Sequence, residues 1–150
     1  MMGYITDLRE LVGHRPLVQV GASVIVMDEQ GRMLLQLRTD DHTWDCAASG
    51  SLELGETVED AARRELLEET GLTAHSLELL GVFSGPENHY IYPNGDEVYN
   101  VDIVYLCRSW SGAPVCQAGE VDELHFFAPD ELPANLSALN RQRPWEWGNR

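Results

Sequence analysis

Residues 50–72 read GSLELGETVEDAARRELLEETGL. From Thr57 to Glu69 the segment has no Gly or Pro and is dominated by Ala, Leu, Glu and Arg, all strong helix formers. Thr57 followed three residues later by Asp60 resembles a capping box with Asp in place of Glu. Gly71 fits a helix stop, where left-handed backbone carries little steric cost. At about 100° per residue, Glu65, Glu68 and Glu69 share one arc of this helix. Like charges at that spacing repel by roughly 0.2–0.5 kcal/mol per pair. Such a face is either simply solvated or a site for a hard cation such as Mg2+ or Mn2+, which prefers oxygen ligands. Arg64 sits four residues before Glu68, at the spacing of a helical ion pair.

The spacing around the glutamates is more specific than the charge. Five residues separate Gly50 from Glu56, and seven more precede Arg64-Glu65-Leu66. One further residue leads to Glu68-Glu69, and one more to Gly71-Leu72. This resembles the box of the Nudix hydrolases at every fixed position. Outside the box, Trp44, Glu53-Leu54-Gly55-Glu56 and an acidic-apolar stretch at 120–127 ahead of a Pro-x-Glu-Leu-like segment also resemble that family. The box is entered by Ala48-Ser49-Gly50, where many members have Pro-Gly-Gly. YITDLRELVGHRPL and YPNGDEVYNV are similar to a bacterial subgroup described as ADP-ribose pyrophosphatase-like.

The resemblance implies an α/β fold, the Nudix α/β/α sandwich with a central mixed β-sheet, in a single domain over 1–150. It implies that Glu65, Glu68 and Glu69 bind Mg2+ or Mn2+ with the Ser49 carbonyl. Arg64 would steady the glutamates, and Glu56 would brace the junction of loop and helix. The general base would be Glu65 or a late-loop glutamate. Glu120, which follows Gly119 and precedes a strand, is the loop candidate, with Glu123 as the fallback.

The rest of the chain reads as mixed α and β. Ile5, Leu8, Leu11 and Val12 repeat at helical spacing, so residues 4–12 form an amphipathic helix. The core spans 17–133. It opens with an apolar strand over 17–27, a turn at Asp28–Gly31 and a returning strand over 32–37, a hairpin pattern. A polar loop from Asp40 to Trp44 leads into the box. A strand over 74–83 follows. Residues 89–92 and 97–107 flank Asn94-Gly95, a strong hairpin turn. A last strand covers 123–127, and the C-terminal part, 134–150, contains a terminal helix over 134–139.

The formal net charge is −15. With no clustered basic stripe, it argues against binding nucleic acid, whose backbone needs Lys and Arg. No apolar run reaches the roughly 18 residues of a membrane helix. The first residues lack a basic stretch followed by an apolar one, so no secretory signal is expected. Cys46, Cys107 and Cys116 are odd in number and lack metal-ligand spacing, which suits a reducing, cytoplasmic location.

Phe83, His89, Tyr90, Tyr92 and Tyr99 are candidates to stack on a base. His42 and His89 are candidates for phosphate contact. Trp145 and Trp147 would cover an apolar patch or a partner subunit, which leaves a homodimer open. The leading expectation is a metal-dependent pyrophosphohydrolase of a small nucleoside diphosphate derivative: ADP-ribose, a nucleotide-sugar or a CDP-alcohol. The alternatives are hydrolysis of nucleoside triphosphates or diadenosine polyphosphates, removal of pyrophosphate from RNA ends, and a non-catalytic nucleotide sensor. Such sensors lose box glutamates, and this chain keeps all four.

Overall fold

An apolar strand, Leu17–Met27 (β1), runs through the middle of the molecule and is buried over Ala22–Met27 on both faces. Two core clusters explain why. Ala22, Val24 and Val26 point to one side, and Ile25 and Met27 to the other. A strand with packing on both faces needs no polar alternation. The structure, a computed structural model, describes residues 3–137 and residue 146.

Four strands flank β1 in an open mixed sheet: Met33–Arg38 (β2), Trp44–Cys46 (β3), Thr73–Phe83 (β5) and Glu97–Ser111 (β7), in the order β3-β2-β1-β7-β5. Three more strands attach beside them: Ala48–Ser51 (β4) on β1, His89–Ile91 (β6) on β7, and Val121–Phe127 (β8) on β2. β1 and β7 pair in parallel from Leu17↔Val98 to Val26↔Cys107.

The expected β1–β2 hairpin forms only at its tip, Val26↔Leu34 and Met27↔Met33. Beyond it the strands part, because β4 occupies that edge of β1 from Gly21 to Val24. The approach is close. A Cβ on Gly21 would lie 3.0 Å from the Gly50 carbonyl oxygen. β2 instead pairs with β3 and β8. The segment read as a polar loop into the box thus ends in two short strands, β3 and β4.

The helix of the box, Val58–Thr70 (α2), lies on β1, β4 and β5. Thr57 caps it, its hydroxyl accepting from the Asp60 N–H at 3.1 Å. Gly71 ends it in left-handed backbone at φ 77°. Ala61, Ala62 and Leu66 are fully buried, and the two alanines let the helix approach the sheet closely.

The N-terminal helix, Tyr4–Val12 (α1), forms where expected but buries none of its residues, and Leu11 is 82% exposed. It is held by polar contacts. The Tyr4 N–H donates to Glu53 at 3.1 Å, and Arg9 donates to the Glu97 carbonyl at 2.7 Å.

The second hairpin closes as expected, with His89↔Tyr99 and Ile91↔Glu97 in register and Gly95 at φ 95°. The terminal helix expected over 134–139 is not formed over its described part. Leu136 bridges Trp44 instead, with the Trp44 N–H donating to the Asn135 carbonyl and the Ser137 N–H to the Trp44 carbonyl. The open edge of β3 captures this backbone. Residues 138–139, Trp145 and Trp147 lie outside the described residues. Among the described residues, no helix is long and apolar enough to cross a membrane.

Candidate active site

The box folds back on itself through Arg64. Its guanidinium grips Glu56 at two points, 2.7 and 3.0 Å. It also donates to Glu65 at 2.6 Å, to Glu68 at 3.4 Å and to the Ser51 carbonyl at 3.2 Å. One cation therefore ties the loop before α2 to the helix and to the end of β4. The planar, five-donor guanidinium suits this task as a Lys ammonium would not. Arg64 holds the Glu56 carboxyl below its ordinary value.

Gly50 explains its own presence. A Cβ there would run into the Glu65 carboxylate, so only glycine lets that carboxylate lie against the β4 backbone. Burial pushes the Glu65 carboxyl up. Glu69 is more deeply placed. It accepts from the Ser49 N–H at 2.8 Å, yet burial raises its pKa to about 8. Glu68 is half exposed at the rim.

These residues line one edge of a cleft of about 640 Å³. Gln19, Gly21, Asn100 and Asp102 also line it, from neighbouring positions on β1 and β7. Asp102 accepts from the Ser23 hydroxyl at 2.8 Å, and burial pushes its pKa up to about 6. His89, Tyr90 and Tyr92 supply aromatic surface from β6 and its turn.

Glu120 lines the same cleft, although 51 positions separate it from Glu69 (120 − 69). Its loop is positioned by the Thr39 N–H, which donates to the Glu120 carbonyl at 3.1 Å. Gly119 supplies the positive φ, 83°. Glu123 is exposed on β8 and does not line the cleft. Phe83 belongs to the core, 5% exposed, and is no stacking surface. His42 does not line the cleft, and its nearest charge is Asp122 at 4.0 Å. Tyr99 does not line it either, but packs on His89 with ring centres 4.6 Å apart.

Sequence reading missed Gln19, Asn100 and Asp102. A signal was present, since each interrupts an apolar strand with a polar side chain, and such a group needs a partner or a purpose.

In this conformation no three acidic, His or Cys side chains among the described residues converge as an ion cage. Arg64 holds Glu65, and the Ser49 N–H holds Glu69. The donor set still fits a hard divalent cation. It is all oxygen, and burial raises the Glu65 and Glu69 carboxyls, a penalty that a hard cation would offset.

Known proteins match this arrangement. The model of the NUDIX domain family matches residues 17–147. An oxidized purine nucleoside triphosphate hydrolase of Danio rerio is 39% identical over 116 residues, covering 74% of this chain and 67% of that protein. An ADP-ribose pyrophosphatase of Methanocaldococcus jannaschii is 34% identical over 111 residues, covering 72% and 61%. The crystal structure of a MutT Nudix hydrolase from Burkholderia pseudomallei superposes with a TM-score of 0.72 at 30% identity, covering 87% of this chain and 97% of that one. Members of this family generally use divalent metal ions and act on nucleotide substrates. The chain belongs to the Nudix family and is a pyrophosphohydrolase.

Proposed function

We propose that the chain is a Mg2+- or Mn2+-dependent pyrophosphohydrolase that cleaves the diphosphate bond of a small nucleoside diphosphate derivative. The observation that carries this reading is the shared cleft. The helix glutamates, Ser49, Glu120 and the aromatic wall of Tyr90 and Tyr92 all face one volume. The metal would be held by Glu65, Glu68, Glu69 and the Ser49 carbonyl. Bound there, it would polarise phosphoryl oxygens and acidify water. Arg64 keeps Glu65 and Glu68 oriented, and Glu56 anchors Arg64. Glu120 is the proposed base, with Glu65 the competing one. The tyrosines offer stacking surface to a nucleobase. Three free cysteines accord with a reducing cytoplasm. Net charge disfavours long polyanions as substrates.

A nucleoside triphosphate is the second reading, favoured by the likeness to the oxidized purine nucleoside triphosphate hydrolase. A panel of ADP-ribose, UDP-glucose, CDP-choline and nucleoside triphosphates with Mg2+ separates the two. Phosphate released only after adding alkaline phosphatase marks two phosphomonoester products. Phosphate released by inorganic pyrophosphatase alone marks a triphosphate substrate. No turnover of any compound with Mg2+ or Mn2+ would overturn both readings.

A further inference from the structure

Side chains alternate between the two faces of a sheet. On the face that α2 covers, Ala22, Val24 and Val26 of β1 lie with Tyr105 and Cys107 of β7. Continuing the alternation towards the start of both strands puts Val18 beside Tyr99, and Val20 beside Val101, on that same face. Val82 of β5 joins it opposite Ile103, Leu79 opposite Tyr105, and Ile91 of β6 opposite Glu97. These rows stand in solvent beside α2. Val18 is 75% exposed, Leu79 and Val82 57% each, Ile91 54%, Tyr99 41% and Val20 37%. α1 does not cover them, since it lies on the cleft side with Gln19 and Val98. We infer that this sheet face is an interface between two copies of the chain.

The pattern of the strands is the first support. A strand with one solvated face shows water its polar side chains and keeps the apolar ones inside. Over 18–20 of β1 and 99–103 of β7 the order is reversed. Gln19, Asn100 and Asp102 point to the cleft, and Val18, Val20, Tyr99 and Ile103 lie on the outer side. The polar positions of these strands thus serve the cleft, and the face left to water is the apolar one.

The second support is area. Taking about 150 Å² for a fully exposed side chain of this size, the six show roughly 500 Å² together. The largest patch on a monomer spans about 300–600 Å². Each partner in a standard interface contributes about 800 Å², part of it a polar rim. One sheet face covers another well, packed about 10 Å away, and a second copy supplies the matching face. A two-fold contact needs only a patch that complements itself. The carboxylate at the end of these rows, Glu97, is engaged by His89 at 2.7 Å. Opposite charge would recruit a foreign partner to a chain of net charge −15, but these apolar rows offer it no charge to read.

The interface is independent of the substrate and is tested by sedimentation equilibrium of the full chain. Wild type should be a dimer at micromolar concentrations. Two copies of net charge −15 repel, so raising NaCl from about 50 to 500 mM should tighten the dimer by screening that repulsion. Val18→Lys and Val82→Lys, on different strands, should each raise the dimer Kd about tenfold or more, since two-fold symmetry counts each change twice. Both variants reduce the net negative charge, so repulsion between whole copies cannot cause that loss. Leu11→Lys makes the same charge change at a comparably exposed position on α1, and its Kd should stay within about twofold of wild type. Circular dichroism and Tm report that each variant is folded, and the concentration dependence of wild type needs no variant. A monomer at every concentration and salt leaves the face to another occupant, the chain's own C-terminal residues or a foreign protein, and overturns the inference. So does a dimer that dissociates as salt rises, that ignores both face variants, or that Leu11→Lys weakens as much.

Discussion

α1 and α2 are both helices with a recognisable apolar stripe, yet they are attached in opposite ways. α2 buries Ala61, Ala62, Leu66 and Thr70 against the sheet, whereas no residue of α1 is fully buried and Leu11 is 82% exposed. A stripe states only that one face can be covered. Whether it is covered depends on a sheet face of matching shape being free. β1, β4 and β5 present that face to α2. α1 instead meets the box loop at the Glu53 carboxylate and the β6–β7 hairpin through Arg9. Hydrophobic burial, worth about 1.5–3 kcal/mol for a large apolar side chain, therefore anchors α2. Hydrogen bonds worth about 0.5–1.5 kcal/mol each anchor the other. α2 is thus held rigidly against the sheet, whereas α1 is lightly held.

The largest expected effect tests what the anchored helix is for. Glu69→Gln should lower turnover about 10³-fold, the several kcal/mol that metal-ion catalysis supplies, while the fold is kept. Wild type in excess chelator should be as inactive. Full turnover of either preparation would remove metal from the mechanism.

Next is Glu120→Gln, expected to cost roughly 10²–10⁴-fold in kcat, the usual scale for a general base, with metal affinity little changed. Glu123→Gln, at an exposed position outside the cleft, should stay near wild type. If Glu120→Gln remains within about threefold while Glu65→Gln collapses turnover with metal still bound, the base lies on α2.

Stability should divide along the same line as attachment. Leu66→Ala removes a fully buried side chain and should cost about 2–5 kcal/mol in a denaturant titration. Leu11→Ala should change stability by no more than about 0.5 kcal/mol. Equal losses at the two positions would show that α1 is as deeply packed as α2.

The last comparison is the pH dependence of the metal-free protein. Burial raises Glu69 from 4.5 to about 8 and Asp102 from 3.8 to about 6. The folded state thus holds protons that the unfolded chain has released, so stability falls as pH rises from about 4.5 towards 8. Below that window both states are protonated and this contribution vanishes. Glu56, held low by Arg64, acts in the other direction, and its contribution is lost as pH falls through its lowered value. Tm measured in chelator should decline across that window for wild type and flatten in Glu69→Gln. An unchanged slope in the variant would place the buried proton elsewhere.

Several features are legible in the order of residues because they are local. Thr57, Asp60 and Gly71 mark the ends of α2 by capping geometry, and Asn94-Gly95 marks the β6–β7 turn. The departures share a cause, competition for partners distant in sequence. β1 and β2 carry the pattern of a full hairpin, but β4 displaces β2 from the edge of β1. Residues 134–137 carry a helical pattern, but Trp44 takes their backbone. Phe83 is an aromatic that could stack, but Val104 and Leu106 enclose it in the core.

By itself, then, the order of residues determined the helix of the box, its caps and the spacing that places Gly50 under Glu65 and Arg64 beside Glu56. All of these lie within 21 positions of one another, counted from Gly50 to Gly71 (71 − 50). Only the tertiary structure decided that Glu120 faces the same cleft, that Tyr90 and Tyr92 wall it while Tyr99 does not, and that Gln19 and Asp102 line it. The physical reason is range. Caps and helical faces are set by neighbours along the chain, whereas a cleft exists only after strands far apart in sequence have paired and chosen which side each residue shows.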